Sequence, residues 1–413
     1  MPLLTSLFEA VFHLGLASPL QSTTSPDLRL NHIQVIGTHN SYHREVSIFA
    51  RPVFELLLPS PQNFYYSHAS LSDQLTHQSV RSLELDVYAD YSFPGQFANP
   101  LINRLAQLPS PPQKWQDQMR EPGAKVLHVT DIDVGSVCPT LKVCLSQLRD
   151  WSDANPGHVP ITIDIELKDV DERIPAIGGA PGEPWNATNL ALLDDEIRSA
   201  LGNDKLITPD DVRLGRLASD TNGTDLSSTR LTLEDAVLQH GWPSLDATRG
   251  RFLFFFDNNP TPSPSLRDAY RADGHANLEG RVVFTNSLPG EPDAAFIKRN
   301  DPSGANLDEI QELVRKGYLV RTRADEPINS VLTGDDVAND RLSTALETGA
   351  QIVSTDWPGV GMASRYDSEY VARLPTGGFV KCNPVNAPDG CNNIDLERYT
   401  VSPMLGKLIR QGV

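Results

Sequence analysis

The sequence predicts a single TIM-type α/β barrel, and three observations carry that expectation. Short β-branched or aromatic runs alternate with helical patterns along most of the chain, and eight such runs can be counted. Alternation sustained over about 250 residues fits one parallel barrel better than separate domains. No glycine-rich phosphate loop follows any run, which disfavours the open doubly wound sheet.

In chain order, residues 32–36 form an apolar first strand. Residues 71–78 form a helix capped by Ser70 or Ser72, since a serine oxygen accepts an orphan amide of the first turn. Residues 81–87 alternate apolar and charged side chains, the pattern of a second strand. The Pro- and Gln-rich segment 88–123 reads as an insertion that alters how substrate is admitted. A third strand is expected at 125–129 and an amphipathic helix at 139–154. The fourth strand is 160–167, where Ile161, Ile163, Ile165 and Leu167 alternate strictly. After a long loop, helices are expected at 190–201 and 233–240. Residues 252–256 are wholly apolar, as in a strand buried on both faces. Strands at 281–285, 318–322 and 351–355 complete the eight, with helices at 307–316 and 335–348 between them. Beyond Trp357 the chain is rich in Pro, Gly and Asn and is expected to wrap the barrel as a tail without its own core. The barrel then occupies 29–413, and 1–28 is a lead segment.

A length of 413 residues allows one large domain or two ordinary ones. A hydrophobic fraction of 39% and a charged fraction of 21% are those of a soluble globular enzyme. No stretch reaches the roughly 18 consecutive apolar residues of a membrane-spanning helix. The net charge of −18 argues against nucleic acid as a partner and against broad adsorption to anionic membranes. A bound divalent cation would reverse the local potential at a site whatever the net charge.

Residues 3–20 are largely apolar with small residues at Ala17 and Ser18, somewhat like a signal peptide, yet they lack a basic start and carry Glu9 and His13. Among the three connectivities open to four cysteines, two short loops, Cys138 with Cys144 and Cys382 with Cys391, are the natural pairing. Neither spacing is that of a zinc knuckle. Asn186-Ala-Thr and Asn222-Gly-Thr are glycosylation sequons. Together these favour an oxidising compartment, so a secreted protein is expected, acting as a monomer.

Charged and polar residues gather at the ends of the expected strands. His39 and Asn40 follow the first, Glu84 and Asp86 lie in the second, His128 ends the third, and Asp164 and Glu166 lie in the fourth. Asp257, Arg321 with Arg323, and Asp356 end later strands. C-terminal strand ends converge on the active site of a barrel enzyme. Residues two apart in a strand share a face, so Glu84 sides with Asp86 and Asp164 with Glu166. Carboxylates crowded at one mouth repel unless a cation sits among them, and an oxygen-only donor set suits Ca²⁺ or Mg²⁺. Each residue also has a structural reading: a strand histidine often only satisfies hydrogen bonds, and Arg321 or Arg323 can neutralise Asp257 or Asp356. The joint pattern raises His39, Glu84, Asp86, His128 and Glu166 above that reading.

Gly37-Thr38-His39-Asn40-Ser41-Tyr42-His43 resembles the first signature of the phosphatidylinositol-specific phospholipase C superfamily, in its calcium-dependent microbial branch related to the eukaryotic X domain. Tyr66-Ser67-His68, Leu71, Gln74-Leu75 and the run from Leu83 through Glu84, Asp86 and Asp90 match the same pattern in order. So do His128 in Leu127-His128-Val129-Thr130-Asp131-Ile132-Asp133 and Glu166 in Asp164-Ile165-Glu166-Leu167-Lys168, and the likeness reappears at Ser354-Thr355-Asp356-Trp357. Gln78-Ser79-Val80-Arg81 departs from it, lacking the glycine the family commonly has before the second strand.

The resemblance implies that Asn40, Glu84, Asp86 and Glu166 hold Ca²⁺ and that His39 and His128 flank a phosphate. His128 is then the general acid and His39 the base or transition-state stabiliser, with Glu84 as the other candidate base. Lys168, on the face of Glu166, is a candidate phosphate contact, and Arg321, Arg323, Asp356 and Trp357 complete the candidate substrate site. The implied reaction is cleavage of an inositol lipid at a membrane surface, the inositol 2-hydroxyl attacking internally to release diacylglycerol and a cyclic phosphate. Apolar residues in the loop after the first strand (Phe54, Leu56 to Leu58, Phe64, Tyr65 and Tyr66) form either an interfacial lip or a packed loop.

Three other readings compete. A glycerophosphodiester phosphodiesterase shares the fold and the Glu-x-Asp pair, but its His-Arg-Gly opening is absent. A glycosidase would use Asp164 and Glu166, which are poorly placed at i and i+2 to flank a sugar ring. A non-catalytic binding barrel would not need every catalytic position filled.

Overall fold

A computed structural model describes residues 27–217, 231–326 and 328–397. The lead segment up to residue 26 and the Asn222 sequon lie outside the described residues.

Among the described residues, eleven strands join one sheet. They are β1 (Ile33–Thr38), β2 (Val80–Tyr88), β3 (Lys125–Val126), β4 (Ile161–Leu167), β5 (Leu206–Ile207), β6 (Phe252–Phe256), β7 (Val283–Phe284), β8 (Phe296–Lys298), β9 (Leu319–Arg323), β10 (Ile352–Thr355) and β11 (Val380–Cys382). Parallel pairing runs β8–β9–β10–β1–β2–β4–β6, and β7 adds to β6 through Phe254 opposite Val283 and Phe255 opposite Phe284. A parallel bridge between Asn286, just past β7, and Phe296 in β8 closes the ring. Eight parallel staves therefore form a barrel, as expected, but their membership differs at two places.

The segment expected as the third stave is only the two-residue β3, and it pairs antiparallel with the end of β2. It is a hairpin-like appendage, and His128 lies beyond it. β2 pairs directly with β4, and the eighth stave is instead β8, next to β9, whose three residues are too few to show a period. β5 likewise adds to β6 outside the ring.

The β6 run Phe252–Phe256 is buried throughout, with the Phe255 ring stacked 4.2 Å from Phe296 across the closure. Replacing Phe255 by alanine removes this contact and leaves a cavity, so a loss of about 3–5 kcal/mol in unfolding free energy is expected from denaturant titration. Helices pack outside. In Leu141–Ala154, Leu141, Cys144, Leu145, Leu148 and Trp151 form the buried stripe, and Thr140 caps the first turn by accepting from Val143 N at 3.2 Å. Ser70 caps Leu71–His77 in the same way, and Asn186 of the first sequon caps Ala187–Leu201.

Ser79 stands where a glycine was expected before β2, and it takes the left-handed backbone itself, at φ 58°. The departure is absorbed in the turn. Both disulfides form between the sequence neighbours, Cys138–Cys144 and Cys382–Cys391. Beyond Trp357 the chain wraps the barrel: β11 pairs antiparallel with β1, and Glu397 forms an ion pair with buried Arg81. No described helix is long and apolar enough to cross a membrane.

Candidate active site

The loop after β1 is built to present two side chains. Thr38 Oγ1 donates to Gln74 Oε1 at 2.7 Å, and Gln74 Nε2 donates to Ser41 O at 2.7 Å. Ser41 Oγ in turn accepts from Glu84 N at 2.8 Å, tying this turn to β2. His68 Nε2 donates to His39 O at 2.9 Å. So anchored, the chain turns at Asn40 with φ 44°, a conformation asparagine tolerates better than most residues.

His39 and His128 line one cavity of about 180 Å³ together with Asn40, Asn63, Phe64, Tyr66, Glu326, Ile328 and Asp356. Each histidine is held through Nδ1 by a buried carboxylate. His39 Nδ1 lies 2.8 Å from Asp356 Oδ1, and His128 Nδ1 lies 2.9 Å from Asp133 Oδ2. That leaves both Nε2 atoms without a hydrogen bond among the described residues. Burial lowers the His39 pKa to about 4, against the opposing pull of Glu84, so its imidazole is neutral at pH 7. Burial alone would raise Asp133, but His43 and His128 outweigh it and hold this carboxyl well below the usual range.

The carboxylates sit beside the histidines. Parallel register sets Glu84 opposite Asp164 and Asp86 opposite Glu166. Glu84, Asp86 and Glu166 each offer an oxygen, all within 4.8 Å of one another. Several buried oxygens here lack any hydrogen bond, namely Asn40 Oδ1, Glu84 Oε1 and Asp86 Oδ1, while Asp86 Oδ2 meets the Lys168 ammonium at 3.3 Å. Orphaned acceptors this deep are costly unless something positive engages them. An all-oxygen set of three carboxylates and one amide fits a hard divalent cation with room for water or substrate oxygens. Burial, opposed mainly by Lys168, raises Asp86 to about 7, and burial opposed mainly by Arg321 raises Glu84.

Asp356 lines the cavity. Its pKa is raised to about 7, first by burial and then by Glu326. Arg323 stands behind Glu326 in an ion pair and lies 3.9 Å from Glu84 Oε1. Of the five expected substrate contacts only Asp356 lines this cavity, and Lys168, Arg321, Arg323 and Trp357 do not. Arg321 is only 2% exposed and binds Glu84 Oε2, Asp164 at 3.2 Å and Asp257 at 3.0 Å, so its charge is spent inside the barrel. The structural pairing with Asp257 is the one realised. Trp357 is fully buried with its ring against Tyr66 and Tyr366, bracing the cavity wall rather than lining it.

Lys168 Nζ lies 3.3 Å from Asp86 Oδ2 and 3.2 Å from Glu166 Oε1. Asp133, His43 and Glu326 have no role assigned from the sequence, and Phe64 is expected there only as a lip or packing residue. Asp133 stands five residues after His128 inside the motif, but its role depends on the turn at 129–133 that brings the two side chains together.

A barrel mouth that joins two carboxylate-held histidines to buried oxygens suited to a cation belongs to the metal-assisted phosphodiesterases. The chain belongs to the Ca²⁺-dependent phosphoinositide phospholipase C family, whose sequence model matches residues 28–384. It is thus a phosphodiesterase of a calcium-dependent family that acts on phosphoinositides. No curated protein sequence matches the chain. Similar solved structures include the calcium-dependent phosphoinositol-specific phospholipase C of a Pseudomonas species, at 16% identity over 87% of this chain and 96% of that one, TM-score 0.49. The Ca²⁺-dependent enzyme of Streptomyces antibioticus is similar at 18% identity over 82% and 97%, TM-score 0.44. A glycerophosphoryl diester phosphodiesterase from Parabacteroides distasonis is similar at 10% identity over 85% and 92%, TM-score 0.30.

Proposed function

We propose that this enzyme cleaves phosphatidylinositol by internal attack, with His39 as base and His128 as acid. The observation that carries this reading is the shared cavity in which a buried carboxylate holds each Nδ1 and neither Nε2 makes a hydrogen bond among the described residues. His39 Nε2 lies 3.8 Å from Glu84 Oε1. The inositol 2-hydroxyl attacks phosphorus and its proton passes to neutral His39 Nε2. The bond from phosphorus to the glycerol oxygen breaks as His128 Nε2 delivers a proton to it, its Nδ1–H remaining on Asp133. The products are diacylglycerol and a cyclic inositol phosphate. Asn40, Glu84, Asp86 and Glu166 would hold the calcium ion. When bound, the ion acidifies the attacking hydroxyl and offsets charge building on the phosphate oxygens. With Glu84 shared between the ion and Arg321, His39 is the better base.

The glycosidase reading loses ground because Asp164 is buried and spent on Arg321, which leaves Glu166 without the partner that reading requires. Phosphorus NMR of the product from phosphatidylinositol, with calcium and with chelator, tests the proposal. A cyclic phosphate formed only with calcium is expected, and no turnover of any inositol lipid would refute it.

The two disulfides support an extracellular setting, and we place the enzyme there as a monomer meeting its substrate at a membrane. In the loop after β1, Phe54 and Tyr66 are buried and so are packing residues, whereas Ile48, Phe49 and Leu56 are 69%, 73% and 84% exposed. The same loop supplies Asn63 and Phe64 to the cavity, and its exposed apolar side chains are the ones available to enter a membrane surface. Replacing Ile48 and Phe49 together by serine is expected to weaken binding to phosphatidylinositol vesicles about tenfold or more, judged by sedimentation. Turnover of a water-soluble inositol phosphodiester should stay within about twofold, and equal loss on both substrates would argue against an interfacial role.

A further inference from the structure

We infer that Lys168 is a built-in competitor for calcium, whose ammonium occupies the carboxylate site without the ion and must leave when the ion enters. The inference rests on the proposed ligand set of Asn40, Glu84, Asp86 and Glu166.

Three observations carry it. Lys168 Nζ contacts two of the three clustered carboxylates, at 3.3 Å from Asp86 Oδ2 and 3.2 Å from Glu166 Oε1. The oxygens of that cluster lie within 4.8 Å of one another, too close for an ammonium and a divalent cation to share them. The third carboxylate, Glu84, is already matched by Arg321, so Lys168 is the cation that balances Asp86 and Glu166. Arg321 is locked among Glu84, Asp164 and Asp257 and cannot move away, but Lys168 is free to do so. Its backbone is pinned by Lys168 N donating to Val87 O at 2.9 Å and by Trp185 Nε1 donating to Lys168 O at 3.1 Å. Release is therefore a rotation of a partly exposed, four-carbon side chain.

The consequence is a calcium affinity set below what the oxygen ligands alone would give. A lysine at this position keeps the ion-free site charge-balanced, and in exchange it raises the calcium concentration at which the site fills. Replacing Lys168 by methionine keeps the length of the side chain and removes its charge.

Calcium titration by calorimetry on the full chain tests this with wild type, Lys168→Met, Lys168→Arg and Asp86→Asn. Lys168→Met is expected to bind calcium about tenfold tighter or more, because a like charge in contact with the site is gone. Lys168→Arg, which keeps the charge, is expected to stay within about threefold of wild type. An unchanged or weaker affinity in Lys168→Met overturns the inference, as does Lys168→Arg tightening as much as Lys168→Met. Asp86→Asn separates the two readings: if it binds calcium as well as wild type, the ligand set itself is wrong. Thermal denaturation covers a Lys168→Met protein that unfolds without the ion. A calcium-induced rise in Tm larger than in wild type at each calcium concentration supports the competition, and an equal or smaller rise overturns it.

Discussion

Replacing His39 by alanine is expected to lower turnover of phosphatidylinositol by roughly 10²–10⁴-fold, the contribution of a positioned acid–base group. Calcium affinity should change little, since the imidazole is not among the proposed ligands. The size of the effect follows from how the ring is held. When ionised, Asp356 accepts from Nδ1, 2.8 Å away, which puts the lone pair on Nε2 in the cavity, where a hydroxyl proton must be taken. Burial keeps the ring neutral well below pH 7, so the base is ready without a proton having to leave first. Asp356→Asn is the matching control, because an amide can face Nδ1 with either its oxygen or its NH₂ and no longer selects one tautomer. It should lower kcat by at least about tenfold while the substrate KM moves less. A His39→Ala protein that keeps more than about a tenth of wild-type turnover would remove His39 from the base role and return it to Glu84.

Asp86→Asn is expected to weaken calcium binding by about 10²-fold or more, and turnover at low calcium should fall with it, since it exchanges a charged ligand for a neutral one. The same substitution should make the ion-free protein more stable near neutral pH, so function and stability move in opposite directions. Burial raises the Asp86 pKa from 3.8 to about 7, with Lys168 opposing. A carboxyl raised in the folded state contributes stability that is complete below its unfolded value and is lost as pH rises through its folded value. Asp86, with the raised Glu84 and Asp356, therefore contributes a loss of stability as pH rises toward about 7. The lowered His39, His68 and His158 oppose that loss below about pH 6.5, so the ion-free protein should lose stability above that pH. Calcium should remove most of that loss, because it engages the ionised form. Thermal denaturation from pH 5 to 7.5 with chelator or calcium reads this directly. The Asp86→Asn substitution should shift the neutral-pH, ion-free Tm upward by about 2–5 °C, and a wild-type Tm with chelator that rises toward pH 7.5 would contradict the argument.

How much of this was legible in the sequence varies with the length over which a signal is written. The β6 run of five apolar residues and the strict alternation of β4 were legible because burial on both faces, or on one, dictates residue type at each position. The capped helices at Leu71–His77 and Leu141–Ala154 carried a stripe long enough to show its period. By contrast β3 and β8 have two and three residues, and no period exists over so few, although the equally short β7 falls within the strand expected at 281–285. Whether such a segment becomes a stave or an appendage depends on which neighbour has free backbone donors. For residues 125–126 that neighbour was the antiparallel end of β2.

The site divides along the same line. By itself the sequence determined that Glu84 shares a face with Asp86 and Asp164 with Glu166, because side chains two apart in a strand point the same way. It also determined the histidine-asparagine turn, whose Thr38, Ser41 and Gln74 carry the hydrogen bonds that shape it. Only the tertiary structure decided which carboxylates are free to meet a cation. Arg321 reaches Glu84 from 237 positions away and also binds Asp164 and Asp257, while Lys168 falls to Asp86 and Glu166. Four acidic residues that look equivalent along the chain thus differ in function. The physical reason is that charge pairing in a barrel is set by strand register and by which stave lies across the interior, and neither is written in local spacing.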